Sequence, residues 1–372
     1  MRLAVIGAGD VAQRDYLPEL GRLPGAAKVV AISSRTAERA RAVAERFAIP
    51  EWYTDHERMM AETDADAVVN LTPMQLHGEV NRAVLEAGKH LYSEKPFASS
   101  AAEGRELADL ARQAGCAVVA APSVLLFPQV RWAGRLLASG DLGAVHSAAG
   151  RAEAGVPPWP DFASDPSQFF QPGGGPAVDM AVYPLHAITG LLGPVRRVAA
   201  MSGRAIGSFV PAEGPASGQR VDVDVADAWH LLLDLGDARL ATVSATYCVA
   251  ATKAPELELH GLRRSAALSL LDVAAPVEVS ADDGSWTAER LPAERDAGPD
   301  HLLGVAHLLD CVRDGQSPVA STAHAIHVLD VLEAAAQSAD TGRFIDLSPD
   351  VGPPDLTLPA ADWAGHDAKG QS

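Results

Sequence analysis

The chain has 372 residues, too many for one ordinary hydrophobic core, so two domains are expected. Hydrophobic residues make up 48% and charged residues 21%, the balance of a folded globular protein. A formal net charge of -18 excludes a nucleic-acid binder, which needs a basic face.

The apolar start, Met1 to Ile6, is too short for a signal peptide, and no later run is long enough for a membrane span, so a cytoplasmic protein is expected. Cys116, Cys248 and Cys311 are odd in number and widely spaced, which reads as three ordinary thiols and no metal site.

From residue 1 to about 122, short apolar runs alternate with segments of helical period. Leu3 to Ile6, Val29 to Ile32, Ala67 to Leu71, His90 to Ser93 and Ala117 to Ala121 read as buried strands. Thr36 to Phe47, His77 to Ala87 and Ala101 to Ala114 read as helices between them. This is the pattern of an α/β domain with a doubly wound parallel sheet, which binds ligand at the carboxyl ends of its strands.

The character changes after Pro122. A helix over 130–139 ends in a Gly140-Asp141-Leu142-Gly143 turn, and a Pro-rich loop over 156–172 follows. Residues 227–290 hold alternating runs with no helix between them, which implies a large, mostly antiparallel open sheet. Helices are expected over 300–313 and 322–338. The domain boundaries are then 1–122, 123–348 and a loosely held tail over 349–372.

Gly7-Ala8-Gly9-Asp10-Val11-Ala12 stands between a strand and a helix, the context of a dinucleotide-binding turn. Gly7 allows the tight turn, Gly9 the approach of a pyrophosphate, and Ala12 close helix packing, with Asp10 and Val11 at the helix start. The second strand ends in Ser33-Ser34-Arg35 with no carboxylate for the ribose hydroxyls. Ser34 and Arg35 suit a 2'-phosphate, which favours NADP over NAD.

Thr72-Pro73 ends the third expected strand and turns the chain toward the cofactor site. His77, in the next helix's first turn, is a cofactor-side candidate or a packing residue. Glu94-Lys95-Pro96 ends the fourth strand, and Pro96 biases Lys95 toward extended geometry at the sheet edge. A cation there stabilises the alkoxide that develops beside a departing hydride. Pro176, after a glycine run, starts a helix that places Asp179, Tyr183 and His186 on one face at i, i+4 and i+7. A carboxylate, a phenol and an imidazole on one stripe include a base for a hydroxyl proton, though Pro184 must cost that helix a backbone bond.

With Ser139-Gly140-x-Leu142-Gly143 and Gly174-Gly175-x-x-x-Asp179, these motifs stand in the order found in the glucose-fructose oxidoreductase / inositol dehydrogenase / rhizopine-catabolism (Gfo/Idh/MocA) family, which residues 1–346 resemble. The resemblance implies a Rossmann domain, then an α/β domain whose open sheet forms a homodimer or homotetramer. It implies NAD(P)-dependent hydride transfer on a sugar or cyclitol. Carried over by motif, Glu94 and Lys95 belong to the Glu-Lys-Pro element and Asp179 contacts substrate. Tyr183 stands where many members have a catalytic histidine and others a tyrosine, and His186 ranks below it.

Leu125 replaces an arginine common in the family, which with Trp159 and Phe162 implies an apolar substrate pocket. Two alternatives accompany this expectation: a redox-neutral enzyme with tightly held cofactor, and a non-catalytic nucleotide sensor.

Overall fold

A computed structural model describes residues 1–23, 27–157, 162, 164–212, 214–293, 295–354 and 356. Six parallel strands form the first sheet: β1 (Arg2–Ile6), β2 (Lys28–Ser33), β3 (Glu51–Tyr53), β4 (Ala67–Asn70), β5 (His90–Ser93) and β6 (Val118–Ala120). Their spatial order is β3-β2-β1-β4-β5-β6, so the winding reverses between β1 and β4. That switch point is where a doubly wound sheet opens a ligand crevice. Register pairs Ile6 with Asn70, Asn70 with Ser93 and Ser93 with Ala120, which aligns the turns that follow them along one edge.

Between its strands run α1 (Ala37–Arg46), α2 (His56–Glu62), α3 (His77–Glu86) and α4 (Ala101–Ala114). β3 and α2 carry no clear period in sequence and were not expected. The segment after the glycine turn also departs from a plain α-helix. It is a wide π turn over Ala12–Tyr16 and a 3-10 turn over Leu17–Arg22, in which the Leu17 N–H reaches back five residues to Ala12 O. Pro18, with no N–H, cannot continue an α-helical ladder there.

The second sheet has nine strands: β7 (Val145–Glu153), β8 (Arg197–Gly203), β11 (Ala228–Gly236), β12 (Arg239–Thr246), β13 (Leu257–Gly261), β14 (Ser265–Leu268), β15 (Val277–Ser280), β16 (Trp286–Glu289) and β17 (Ile345–Asp346). The small ribbon of β9 (Ser208–Phe209) and β10 (Val221–Asp222) stands apart. The order is β16-β15-β14-β13-β7-β12-β11-β8-β17, antiparallel except for β7 beside β12. Thus β7, absent from the sequence expectation, lies mid-sheet.

The remaining helices are α5 (Pro128–Ser139), α6 (Pro176–Asp179), α7 (Val182–Leu192), α8 (Leu302–Asp314) and α9 (Thr322–Thr341). One face of the large sheet packs Leu231, Leu233, Val243 and Leu259 against a core with Leu185 and Ile188 of α7 and Val328 and Val331 of α9. α8 instead packs on the first sheet, adding Val305 and Leu308 to the core that holds Val5, Tyr92 and Val119. Leu356 is buried against Gly134, so the last described residue is anchored on α5.

Candidate active site

A cleft of about 530 Å³ runs along the carboxyl edge of the first sheet and ends under α6 and α7. At its floor Gly7 has φ +103°, and a Cβ there would lie 2.5 Å from Leu71 O, so only glycine lets β1 and β4 turn side by side. A Cβ on Gly9 would meet nothing within 4 Å. That open backbone lines the cleft together with Asp10 and Val11, where a pyrophosphate would lie. Ser34 and Arg35 line the far end, joined by Arg39 one helical turn on. Neither arginine is ion-paired among the described residues. Ala12 is buried beneath the turn and does not line the cleft.

Thr72 and Pro73 form the opposite wall. Asn70 Oδ1 accepts the Thr72 N–H at 3.1 Å and its hydroxyl at 2.7 Å, while Asn81 Oδ1 accepts from Asn70 Nδ2 at 2.9 Å. His77 lies between two turns, with Nδ1 2.8 Å from Pro96 O and Nε2 2.8 Å from Thr72 O. Burial lowers its pKa against the pull of those carbonyls.

At the inner end, Lys95 Nζ donates to the Asp179 carboxylate and, at 2.9 Å, to Asp179 O. Asp179 Oδ2 accepts from the Tyr247 hydroxyl at 2.8 Å. Burial works to lower the Lys95 pKa, but Asp179, Tyr183 and Glu94 outweigh it and hold the ammonium above the ordinary lysine range. The ammonium stands 5.5 Å from the centre of the Tyr183 ring. Burial raises the Tyr183 phenol well above its usual value, and the opposing pull of Lys95 is the smaller effect. Tyr183 lines the cleft, and its hydroxyl has no hydrogen-bond partner among the described residues. Glu94 Oε2 accepts the Lys95 N–H at 3.0 Å, and Phe162 and Phe169 line the same cleft.

The helix expected to carry Asp179, Tyr183 and His186 in one phase is broken. Met180 and Ala181 both bond to Pro176 O, Tyr183 N donates to Met180 O, and Pro184 offers no N–H. The break leaves Asp179 and Tyr183 on the cleft and turns His186 into the core, where it stacks on His324 at 4.9 Å. His186 therefore lines no part of the cleft. Leu125 is also in the core, against Gly190, so it shapes no pocket wall. Trp159 lies outside the described residues.

Sequence reasoning missed Arg39, Tyr16, Tyr247 and His301. Arg39 had a signal, its i+4 spacing from Arg35. The other three reach the site only through tertiary folding, as when His301 stacks on Tyr16 at 5.6 Å.

Residues 1–121 match the model described as "Oxidoreductase family, NAD-binding Rossmann fold", and residues 130–267 match the GFO/IDH/MocA C-terminal domain. A dTDP-3,4-didehydro-2,6-dideoxy-alpha-D-glucose 3-reductase of Actinomadura kijaniata is 34% identical over 193 residues, 52% of this chain and 56% of that protein. The match thus spans little more than half of that relative. The D-xylose 1-dehydrogenase (NADP(+)) 2 of Haloferax volcanii is 25% identical over 93% of this chain and 100% of its own length. Among solved structures, levoglucosan dehydrogenase in complex with NADH and L-sorbose superposes with a TM-score of 0.81 at 20% identity, covering 94% of this chain and 99% of that one.

Proposed function

Because the chain belongs to the GFO/IDH/MocA oxidoreductase family, we propose that it transfers a hydride between a nicotinamide cofactor and a carbinol or keto carbon of a sugar, sugar derivative or cyclitol. The observation that carries this reading is the convergence of Lys95, Asp179 and Tyr183 at the inner end of the cleft that the glycine turn opens. A bound nicotinamide supplies the hydride acceptor or donor.

The residues supply the rest. Tyr183 exchanges the substrate hydroxyl proton, the Lys95 ammonium stabilises developing negative charge on that oxygen, and Asp179 holds Lys95 and a neighbouring hydroxyl. Because burial keeps the phenol protonated, Tyr183 is ready as an acid, the state that ketone reduction needs. Ser34, Arg35 and Arg39 at the far end support NADP over NAD.

One observation supports the redox-neutral alternative. Residues 295–301 cross the cofactor side, tied to the glycine-turn helix by Arg22–Asp300 at 2.6 Å and Arg295–Glu19 at 3.5 Å, and Pro299 and His301 line the cleft. Such a strap favours a cofactor that exchanges slowly.

Two experiments test the reading. Denaturing the purified protein and identifying released nucleotide separates the two modes: stoichiometric NAD(P)(H) favours redox-neutral cycling, and an empty protein favours an ordinary dehydrogenase. Tyr183→Phe should lower turnover by roughly 10²-fold with nucleotide binding intact. Unchanged turnover removes Tyr183 from the mechanism.

A further inference from the structure

Tyr16 ends the wide turn Ala12–Tyr16 and is buried beneath β5, 1% exposed. Its hydroxyl stands 2.5 Å from Glu94 Oε1 and 2.9 Å from the Tyr92 hydroxyl, which lies 3.2 Å from Ser123 Oγ. The Tyr16 hydroxyl donates to the Glu94 oxygen, and its own oxygen is left to accept from Tyr92. The other oxygen of the same carboxylate, Oε2, accepts the Lys95 N–H at 3.0 Å. Burial and Glu94 both raise the Tyr16 phenol, which keeps it a donor.

We propose that Tyr16 is a positioning residue for Lys95, acting through Glu94. The Tyr16 bond orients the Glu94 carboxylate, and the carboxylate anchors the backbone from which the lysine stem departs. The far end of that stem is held across the cleft by Asp179. Lys95 is therefore fixed at its root by the first sheet and at its tip by α6. Tyr16 ends the helical segment whose first turn closes from Gln13 N to Gly9 O, so the segment that would receive the pyrophosphate also carries the group that seats the lysine. A regular α-helix through this segment would close its rings one residue earlier and present Tyr16 in a different phase.

This inference rests on the functional reading above, so its test includes a readout that needs no turnover. Tyr16→Phe keeps the ring, with its stack on His301 and its tilted contact with Tyr92, and removes only the donor. Its kcat should fall about tenfold while KM and the nucleotide Kd stay within about twofold. Tyr92→Phe, which leaves the Tyr16–Glu94 bond in place, should change kcat by no more than about twofold.

The chain has five lysines, and Lys28 and Lys253 are exposed, so they serve as internal standards. Reductive methylation with formaldehyde and cyanoborohydride, read by peptide mass, should label Lys95 at least about threefold faster in Tyr16→Phe than in the parent, relative to those two. Unchanged Lys95 labelling overturns the proposal. So does a loss of kcat that a lower Tm or a matching rise in KM accounts for. If the parent protein transfers no hydride to or from any sugar tested, the functional reading fails, and the labelling result alone decides the role of Tyr16.

Discussion

Two residues of one helix turn, Tyr183 and His186, end in opposite environments. Tyr183 opens on the cleft, and His186 is buried against His324 with its Nδ1 unpartnered among the described residues. Spacing alone placed both on one stripe with Asp179, but two residues of irregular backbone at Met180 and Ala181 reset the phase. The lysine and aspartate were legible because proline and glycine signals bracket them in sequence. Tyr16 and Tyr247 were not, since each lies in a run whose local pattern reads as ordinary core.

At the far end of the cleft, residue chemistry makes a direct prediction. The Arg35 guanidinium forks onto phosphate oxygens but gains little from ribose hydroxyls. Arg35→Ala should weaken NADP(H) binding by about tenfold and leave NAD(H) within about twofold. Equal weakening of both in fluorescence titrations would sink the assignment of the 2'-phosphate to this corner.

Among the elements, β7 shows how packing overrides pattern. Its inward positions are Ala148, Gly150 and Ala152, too small to register as an apolar alternation. They are small because α7 lies close: a Cβ on Gly150 would sit 2.6 Å from Pro184 Cβ. The strand is thus specified by a helix distant in sequence rather than by its own hydrophobicity.

The contact between α7 and α9 carries a different consequence. His324 donates from Nε2 to Thr189 Oγ1 at 2.7 Å, because that hydroxyl already donates to Leu185 O, and His327 Nε2 accepts from Val195 N at 3.0 Å. Burial pushes His324 down to about 3 and His327 to about 4, below the ordinary 6.5, and drives His186 well down too. Their folded-state pKa values are depressed, so the stability they confer is full above about 6.5 and is lost as pH falls toward 4. His324 alone should account for on the order of 3 kcal/mol between pH 6.5 and 4. Thermal melts across that range should show a steep fall in Tm that His324→Gln flattens. Parallel slopes for parent and variant would place the acid sensitivity elsewhere.

For the whole molecule, the large sheet has one face packed on helices and one face open. Met201, Leu232 and Leu240 lie on the open face, 78%, 58% and 58% exposed. Cross-strand pairs Met201–His230 and Leu232–Thr242 put them on the same side. A wide sheet with exposed large apolar side chains is the natural place for a second copy, and an oligomer built on this face follows as a prediction. Leu232→Glu should shift the protein to monomer in sedimentation or light scattering at micromolar concentration. A parent that is already monomeric rules the contact out.

Much of the first sheet was readable because its signals are local. Buried parallel strands are continuous apolar runs, the helices between them keep one period, and glycine or proline marks each turn. β5 and α4 lie where the sequence reading put them. The candidate site residues Lys95, Asp179 and Tyr183 were visible for the same reason, as residue types beside backbone constraints. Their meeting was not. Lys95 and Asp179 are 84 residues apart and come together only when α6 docks over the end of β5. The order of nine strands, the burial of His186 and Leu125, and the seat of Tyr16 under Glu94 were decided by long-range packing, in which each side chain's neighbour comes from a distant segment. Sequence carries the identity of each group and the local geometry of its backbone. Which groups share a pocket follows only from the close-packed interior that all segments fill together.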